Sequence, residues 1–275
     1  MKPAAFEYQR AASAAETLSA MRDPALPAKP IAGGQSLGPM LNLRLARPAR
    51  MVDISGIEAL RRIEDCGAFV RLGAAVTHAR IEDEAGAFGG VEPLARAARG
   101  IAYRAVRNRG TIGGSLAHAD PAADWPLVLA ALGATIVVQG ERGPRRIDAA
   151  AFMLGSYVTQ LGEGELLIAV EVPKLTAGAR WAYRKFCRKA GEFAQAAAAV
   201  LLDPERRVAR VFIGAPADRP TSLPALAGEL ARRGRAALDG DRLSDLMRTV
   251  LADADPARRQ AGTVMLTRAI DEALS

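Results

Sequence analysis

Cysteine, histidine and aromatic residues are all scarce in this sequence of 275 residues, and each shortage excludes a class of site. Its two cysteines, Cys66 and Cys187, cannot form a four-cysteine iron–sulfur cluster or zinc site within the chain. The two histidines, His78 and His118, likewise exclude a centre built from several histidine ligands. We therefore predict no metal site on this chain.

Long apolar runs are missing as well. The longest, AQAAAAVLL at residues 194–202, falls far short of the roughly 18 residues that span a bilayer. The N-terminal segment MKPAAFEYQRAAS has neither the charged start nor the apolar centre of a secretory signal. We expect a cytoplasmic protein with no transmembrane segment.

The charge balance is basic, with 37 Lys and Arg against 30 Asp and Glu. A basic surface attracts nucleic acid, an anionic cofactor or an acidic partner. The basic residues are scattered along the chain, and aromatic residues, which stack on bases, make up only 5% of it. This pattern disfavours nucleic-acid binding, although a basic nucleic-acid-binding protein stays among the alternatives.

Short helices and strands alternate along the sequence, which predicts an α+β or compact α/β architecture. A strand, a glycine turn, a helix and a second strand are predicted between residues 29 and 55. A polar break at residues 173–178 predicts a domain boundary, which gives domains of residues 1–175 and 176–275. Other helices are predicted at residues 11–22, 80–84, 91–99, 121–132, 225–233, 242–251 and 256–274. Other strands are predicted within residues 60–77, 134–148, 165–172, 180–190 and 206–215.

Two glycine pairs lie in similar surroundings, AGGQSL at residues 32–37 and TIGGSL at residues 111–116. Each follows an apolar approach and precedes a helix. Paired glycines allow close approach of a ligand and let backbone N–H groups converge on an anion. Two such loops are able to hold a diphosphate from both sides, but ordinary turns also contain Gly-Gly-Ser. Neither loop has the glycine spacing of a Rossmann fingerprint or a P-loop.

Two longer segments carry a family resemblance: AGGQSLGPMLNLRLARP at residues 32–48 and IAYRAVRNRGTIGGSLAHADPAADWP at residues 101–126. They resemble the two FAD-binding signatures of molybdenum hydroxylase flavoprotein subunits, a family that includes the medium subunit of aerobic carbon monoxide dehydrogenase and the flavin part of xanthine dehydrogenases. Residues 181–203 resemble the family's third landmark. Ser115 departs from the pattern, because many members have Asn there.

The resemblance implies an α+β fold with a PCMH-type FAD-binding domain over residues 1–175, in lobes of about 1–56 and 57–175. A small α+β C-terminal domain follows over residues 176–275. FAD is expected to lie extended between the lobes. The cofactor-binding residues implied are Ala32, Gly33, Gly34, Gln35, Ser36, Leu37, Ile101, Thr111, Ile112, Gly113, Gly114, Ser115, Asp124, Leu167 and Lys185.

Several polar residues near these motifs permit more than one interpretation. Arg107 and Arg109 either bind phosphate or pair with Asp120 or Asp124. Asp120, ahead of Pro121, is a plausible helix N-cap. Lys185 either lies near the flavin ring or is a solvated cation.

Two other residues have a purely structural interpretation as well as a functional one. His118 is expected to bond the backbone or the cofactor edge, so we assign no catalytic side chain. Phe193 either stacks near the flavin or packs in the core, and we favour the core.

The function implied is that of an FAD-binding electron-transfer subunit of a heteromeric molybdenum hydroxylase. Its [2Fe-2S] clusters and molybdopterin are expected only on an iron–sulfur subunit and a molybdopterin subunit, assembled as a dimer of heterotrimers. The electron acceptor is NAD, a quinone, oxygen or another carrier. A stand-alone FAD-dependent reductase of the same fold is the alternative within enzymes.

Overall fold

The computed structural model describes residues 2–238 and 240–275, and its strands form three main sheets. The first sheet is parallel, with the order β1-β3-β2, and helices connect its strands. Ser13 caps the first of these helices by accepting a hydrogen bond from the Glu16 N–H. The elements are β1 (Glu7–Arg10), α1 (Ala14–Met21), β2 (Ala28–Ile31), α2 (Leu37–Asn42) and β3 (Arg50–Asp53).

The second sheet is antiparallel, with the order β4-β5-β10-β6-β7, and a run of helices is inserted between β5 and β6. The strands are β4 (Ile63–Asp65), β5 (Phe69–Gly73), β6 (Thr135–Gly140), β7 (Gly143–Asp148) and β10 (Leu166–Pro173), with a small hairpin of β8 (Met153–Gly155) and β9 (Val158–Thr159). The helices are α3 (His78–Glu84), α4 (Glu92–Arg99), α5 (Arg104–Arg107), α6 (Ile112–His118), α7 (Asp124–Leu132) and α8 (Ala149–Phe152).

The third sheet, also antiparallel, has the order β11-β12-β13-β14 and packs against the C-terminal helices. Its central strand β12 is buried along its whole length. The strands are β11 (Arg180–Phe186), β12 (Ala196–Asp203), β13 (Val208–Ile213) and β14 (Thr221–Ser222). The helices are α9 (Pro224–Arg233), α10 (Gly240–Val250) and α11 (Pro256–Leu274).

Helix α7 joins the second and third sheets, and all nine of its residues are buried. Trp125 and Leu129 lie in the core of the second sheet, whereas Leu127 and Ala131 pack against β12 and β13 of the third. A helix that contacts apolar surface on every side needs apolar residues on every side. Every residue of DWPLVLAAL after Asp124 is apolar, so the helix has apolar residues on every side.

The mixture of helices and strands confirms the α+β prediction. The predicted bounds of α11 agree with the structure, because Pro256 occupies its first turn and its amphipathic pattern continues to Leu274. The alanine-rich run that forms β12 was not predicted as a strand. Within the described ranges, no helix is both long enough and apolar enough to cross a membrane.

Candidate functional site

The two glycine loops lie directly against each other. A Cβ atom on Gly33 would lie 1.9 Å from the carbonyl oxygen of Arg109 and 2.9 Å from the Cα of Gly110. No side chain fits in that space, so only glycine permits the loop after β2 to contact the loop before α6. The structure thus brings together two motifs that are nearly eighty residues apart in the sequence.

The first loop presents backbone N–H groups that no protein acceptor uses. Within residues 2–238 and 240–275, none of the N–H groups of residues 33–37 donates a hydrogen bond to the protein. Gly34 has a φ of +71°, which favours glycine, and it turns the chain sharply between β2 and α2. Consecutive unpaired N–H groups in such a turn form a concave site for an anion.

The second loop is constructed differently, because its N–H groups are already used. Ile112 and Gly113 donate to the carbonyls of Val76 and Ala74 at 3.1 and 2.9 Å. The Gly114 N–H donates to the Thr111 hydroxyl, which caps α6. A ligand can contact this loop at the exposed Gly114 and at the half-buried Ser115.

His78 packs against the second loop at Gly110. Its backbone N–H donates to the Gly110 carbonyl at 2.9 Å, and its ring lies so close that a Cβ on Gly110 would be 2.8 Å from Nε2. The indole N–H of Trp125 donates to His78 Nδ1 at 3.0 Å. Burial, followed by the charge of Arg107, lowers the pKa of His78 from 6.5 to about 4, so the ring is neutral near pH 7.

Lys185 on β11 pairs with Asp124 at the start of α7. Lys185 Nζ lies 2.7 Å from Asp124 Oδ1 and 2.8 Å from the Gly100 carbonyl oxygen, and the Tyr183 hydroxyl donates to the same Asp124 oxygen at 2.8 Å. Burial raises the pKa of the Asp124 carboxyl, and the nearby ammonium of Lys185 opposes that rise. The interpretation of Lys185 as a solvated cation is therefore wrong, since its side chain is only 13% exposed.

The other predicted cofactor residues lie either in the first loop or at the core of the second sheet. Ile101 is half-buried, follows the Gly100 carbonyl that accepts from Lys185, and packs on the core of that sheet. Leu167 on β10 is buried in this core. Ala32, Gln35, Ser36 and Leu37 surround Gly33 and Gly34 in the first loop.

Three predictions about neighbouring residues are wrong. Arg107 pairs with Glu82 at 2.8 Å rather than with Asp120 or Asp124, and it donates to two backbone carbonyls, so its guanidinium is not available to phosphate. Asp120 does not cap a helix, because α7 begins at Asp124 and Asp120 instead accepts from the Ala122 N–H within a turn. Phe193 is 62% exposed and not part of the core.

Arg109 and His118 keep their predicted positions near the second loop. Arg109 is exposed and forms no ion pair within the described part of the chain. His118 ends α6, and its ring centroid lies 5.2 Å from that of Tyr157.

Some residues of the site were not singled out by the sequence. Tyr183 shares Asp124 with Lys185, and its alternation with Lys185 along one strand was the available signal. The carbonyls of Ala74 and Val76, which hold the second loop, left no signal because backbone groups of any residue can do this.

The residues present fit an extended dinucleotide cofactor with a diphosphate and a flat ring. The N–H groups of residues 33–37 supply unpaired donors for a diphosphate, and Ser115 and Gly114 approach from the second loop. Further along, Ile101 supplies an apolar surface and Lys185 a positive charge. A flavin nucleotide needs hydrogen-bond donors for its phosphates, and an apolar surface with a nearby cation for its ring.

Comparison with known proteins agrees with this geometry. Residues 4–175 match the family described as the FAD binding domain in molybdopterin dehydrogenase. The nicotine 6-hydroxylase medium subunit of Paenarthrobacter nicotinovorans is 42% identical over 74% of this chain and 70% of its own length. The carbon monoxide dehydrogenase medium chain of Hydrogenophaga pseudoflava is 37% identical over 86% of this chain and 83% of its own.

Solved structures are similar over nearly the full length. A structure of carbon monoxide dehydrogenase from Hydrogenophaga pseudoflava that lacks the Mo-pyranopterin moiety aligns with a TM-score of 0.89 and 32% identity, covering 99% of this chain and 98% of that one. Quinoline 2-oxidoreductase from Pseudomonas putida 86 aligns with a TM-score of 0.87 and 32% identity, covering 100% of this chain and 98% of that one.

Proposed function

Because the chain belongs to the family that carries the FAD-binding domain of molybdopterin dehydrogenases, we propose that it takes electrons from an iron–sulfur subunit and passes them to an external acceptor. The chain is an FAD-binding oxidoreductase subunit of the molybdenum hydroxylase family. The observation that carries the proposal is the contact of Gly33 with the Arg109 carbonyl, which joins the two glycine loops into one site.

Each part of the site has a distinct role in this proposal. The N–H groups of residues 33–37 bind the diphosphate, and Thr111 to Ser115 complete the clamp through Ser115 and the exposed Gly114 backbone. Ile101 provides apolar surface for the ring system, and Leu167 belongs to the core against which Ile101 packs. FAD, when bound, supplies reversible redox chemistry that no side chain of the chain can provide.

Lys185 has an electrostatic role in the proposal. An ammonium close to a flavin ring favours the negative charge that develops on reduction. Its bonds to Asp124 and the Gly100 carbonyl fix the position of Nζ, and Asp124 reduces the net charge that a ligand experiences. No side chain is assigned as a proton donor or acceptor, and His118 and Asp120 are interpreted as scaffolding.

The partners follow from what the chain lacks. Two cysteines cannot supply the four thiolates of a four-cysteine [2Fe-2S] cluster, and the clusters and molybdopterin are proposed to lie on two partner subunits, in a dimer of heterotrimers. The acceptor is NAD, a quinone, oxygen or another carrier. A cytoplasmic location remains part of the proposal.

Purification of the complex from its native host through a tag on this chain tests the proposal. We expect one FAD per chain, with iron and molybdenum on copurifying chains that mass spectrometry identifies. A chain that carries FAD but copurifies with no iron–sulfur protein would support a stand-alone reductase instead. A chain with bound nucleic acid and no flavin, even after reconstitution, would overturn both flavin hypotheses.

A further inference from the structure

A second groove, remote in its lining residues from both glycine loops, lies where the FAD-binding region meets the C-terminal domain. Its volume is about 470 Å³, within the usual range for small-molecule sites. Ala130 of α7 and Asp148 and Ala150 around α8 line one side. Residues of β13, β14 and α9 line the other side, so a ligand in the groove contacts both domains.

Three arginines of the C-terminal domain face this groove without partners of their own. Arg207, Arg210 and Arg232 form no ion pair and no side-chain hydrogen bond with any residue in 2–238 and 240–275. Most other arginines around the fold, such as Arg107 and Arg146, pair with a carboxylate. Three unpaired guanidinium groups against the single carboxylate of Asp148 leave the groove with an excess of positive charge, which favours anions.

The floor of the groove is apolar and made of small residues. Ala130, Ala209 and Ala227 line it together with Phe212, which is itself 5% exposed. Small side chains leave room for a flat group to lie against the floor while the arginines hold its charges. Asp148 also lines the groove, but it is exposed and caps α8 by accepting from the Ala150 N–H.

Arg210 connects the groove to helix α7. Its guanidinium lies over Gly133, where a Cβ would be 2.5 Å from a terminal nitrogen, and Gly133 ends α7. A cation there is favoured by the negative end of the helix dipole. The same helix begins at Asp124, the partner of Lys185. One rigid element therefore runs from this groove to the candidate cofactor site.

We propose that this groove binds a small organic polyanion with a flat apolar portion, and that the bound anion clamps the C-terminal domain onto α7. Arg207 and Arg232 hold its charges, while the alanine floor receives its flat part. The shared ligand chemistry is multiple phosphate or carboxylate groups on a molecule that also carries a flat aromatic ring. Nucleotides are one source of such a ligand, and aromatic polycarboxylates are another.

Isothermal titration of the full chain, loaded with one equivalent of FAD and freed of unbound FAD, tests this inference. Bound FAD keeps the candidate cofactor site filled, and no free FAD, which itself carries an ADP portion, is left to compete for the groove. Benzene-1,3,5-tricarboxylate is the second probe, and because it resembles no part of FAD its binding is interpretable even if the flavin proposal fails. Adenosine, which lacks charge, and tripolyphosphate, which lacks a ring, are the comparison probes.

We expect ADP or the tricarboxylate to bind with one-to-one stoichiometry, at least about tenfold more tightly than adenosine or tripolyphosphate. The double variant R207E/R232E should weaken that binding by about tenfold or more. The matched control R206E/R233E makes the same charge change at exposed neighbouring positions that do not line the groove, and it should leave the affinity within about threefold of wild type.

Binding of either probe with this selectivity supports the inference. The probe that binds shows whether the ligand carries phosphate or carboxylate groups. Binding of neither probe, or an equal loss in both double variants, would overturn it, since an equal loss indicates attraction to overall charge. R207Q/R232Q, with its unfolding midpoint measured without ligand, separates lost binding from lost folding. Bound probe should also raise the unfolding midpoint of the wild-type chain.

Discussion

At the scale of single residues, the Lys185–Asp124 contact is an ion pair that is largely buried. Taking two charges out of water is costly, and the cost is offset only where hydrogen bonds satisfy the remaining polar atoms. Here Tyr183 and the Gly100 carbonyl complete the network. The pair links β11 to α7, so its geometry depends on how the C-terminal domain docks.

Removing one partner of this pair should be strongly destabilising. We expect Lys185→Met to lower the free energy of unfolding by about 3–5 kcal/mol, because it leaves Asp124 buried without a cation. Urea denaturation measures the change. The control is Arg188→Met, which removes the exposed pair of Arg188 with Glu192 and should change stability by about 1 kcal/mol or less. A loss for Lys185→Met no larger than that of the control would contradict the account.

His78 makes a second prediction at this scale, one of pH dependence. Its pKa is about 4 in the folded chain and 6.5 in its ordinary state, so the unfolded chain binds the proton first as the pH falls. The free energy of unfolding should therefore drop from pH 6.5 towards pH 4, by roughly 3 kcal/mol from this group.

The variant His78→Asn isolates this contribution. An asparagine carbonyl can accept from the Trp125 indole without titrating, so the slope of stability against pH should flatten. His118→Asn is the comparison variant, because it removes the other imidazole and leaves the bond between His78 and Trp125 in place. Urea denaturation between about pH 4 and 7 distinguishes the two, and the same slope in His78→Asn and wild type would refute the assignment.

At the scale of elements, α7 is the helix on which both domains pack. Its two sides belong to different cores, with Leu129 in the core of the second sheet and Leu127 against the third. Leu127 also contacts Gly214, where a Cβ would lie 2.7 Å from its Cδ2. The helix therefore transmits the position of the C-terminal domain to Asp124 at its own first turn.

Truncating Leu127 and Leu129 one at a time should distinguish the contacts that α7 makes with the third sheet from those that it makes with the second. Leu127→Ala and Leu129→Ala should each cost about 2–5 kcal/mol in unfolding free energy. Only Leu127→Ala should increase hydrogen exchange in β11 and β12 under native conditions, because it loosens the docking of the third sheet. Equal protection of these strands in both variants would contradict the proposed role of α7.

Local patterns predicted some elements well and others not at all. The helix at Pro256 carried its own start signal and amphipathic repeat. The run of alanines in β12 carried none, because alanine favours helices, and the strand exists through pairing with β11 and β13. The short polar strand β1, with the sequence EYQR, depends in the same way on its partner β3.

At the scale of the whole molecule, three sheets meet around the candidate site. Glu272 near the chain's end pairs with Arg96 of α4 and Arg184 of β11, which adds a polar link between the domains. Both arginines are about half exposed, so solvent weakens these pairs, although the Glu272 side chain is itself largely buried. The buried contacts of α7 and the Lys185–Asp124 pair therefore carry most of the docking.

The sequence predicted the site's glycine loops and its lysine, but not how they meet. Family resemblance supplied both Lys185 and Asp124, whereas their direct contact depends on the packing of β11 on α7. The pairing of Arg107 with Glu82 was missed for the same reason, since the partner lies 25 residues away on α3. Contacts between distant segments are set by the fold, which no local pattern encodes.

The most direct test of the account is an FAD titration of the apo chain, following flavin fluorescence, for wild type, Gly33→Ala and Gly38→Ala. A Cβ at residue 33 would overlap the Arg109 carbonyl, whereas nothing lies within 4 Å of a Cβ at residue 38. We predict one FAD per wild-type chain, at least about tenfold weaker binding in Gly33→Ala, and near-wild-type binding in Gly38→Ala. A wild-type chain that binds no FAD, or a Gly33→Ala chain that binds it as tightly as wild type, would contradict the claim that the two loops form the flavin site.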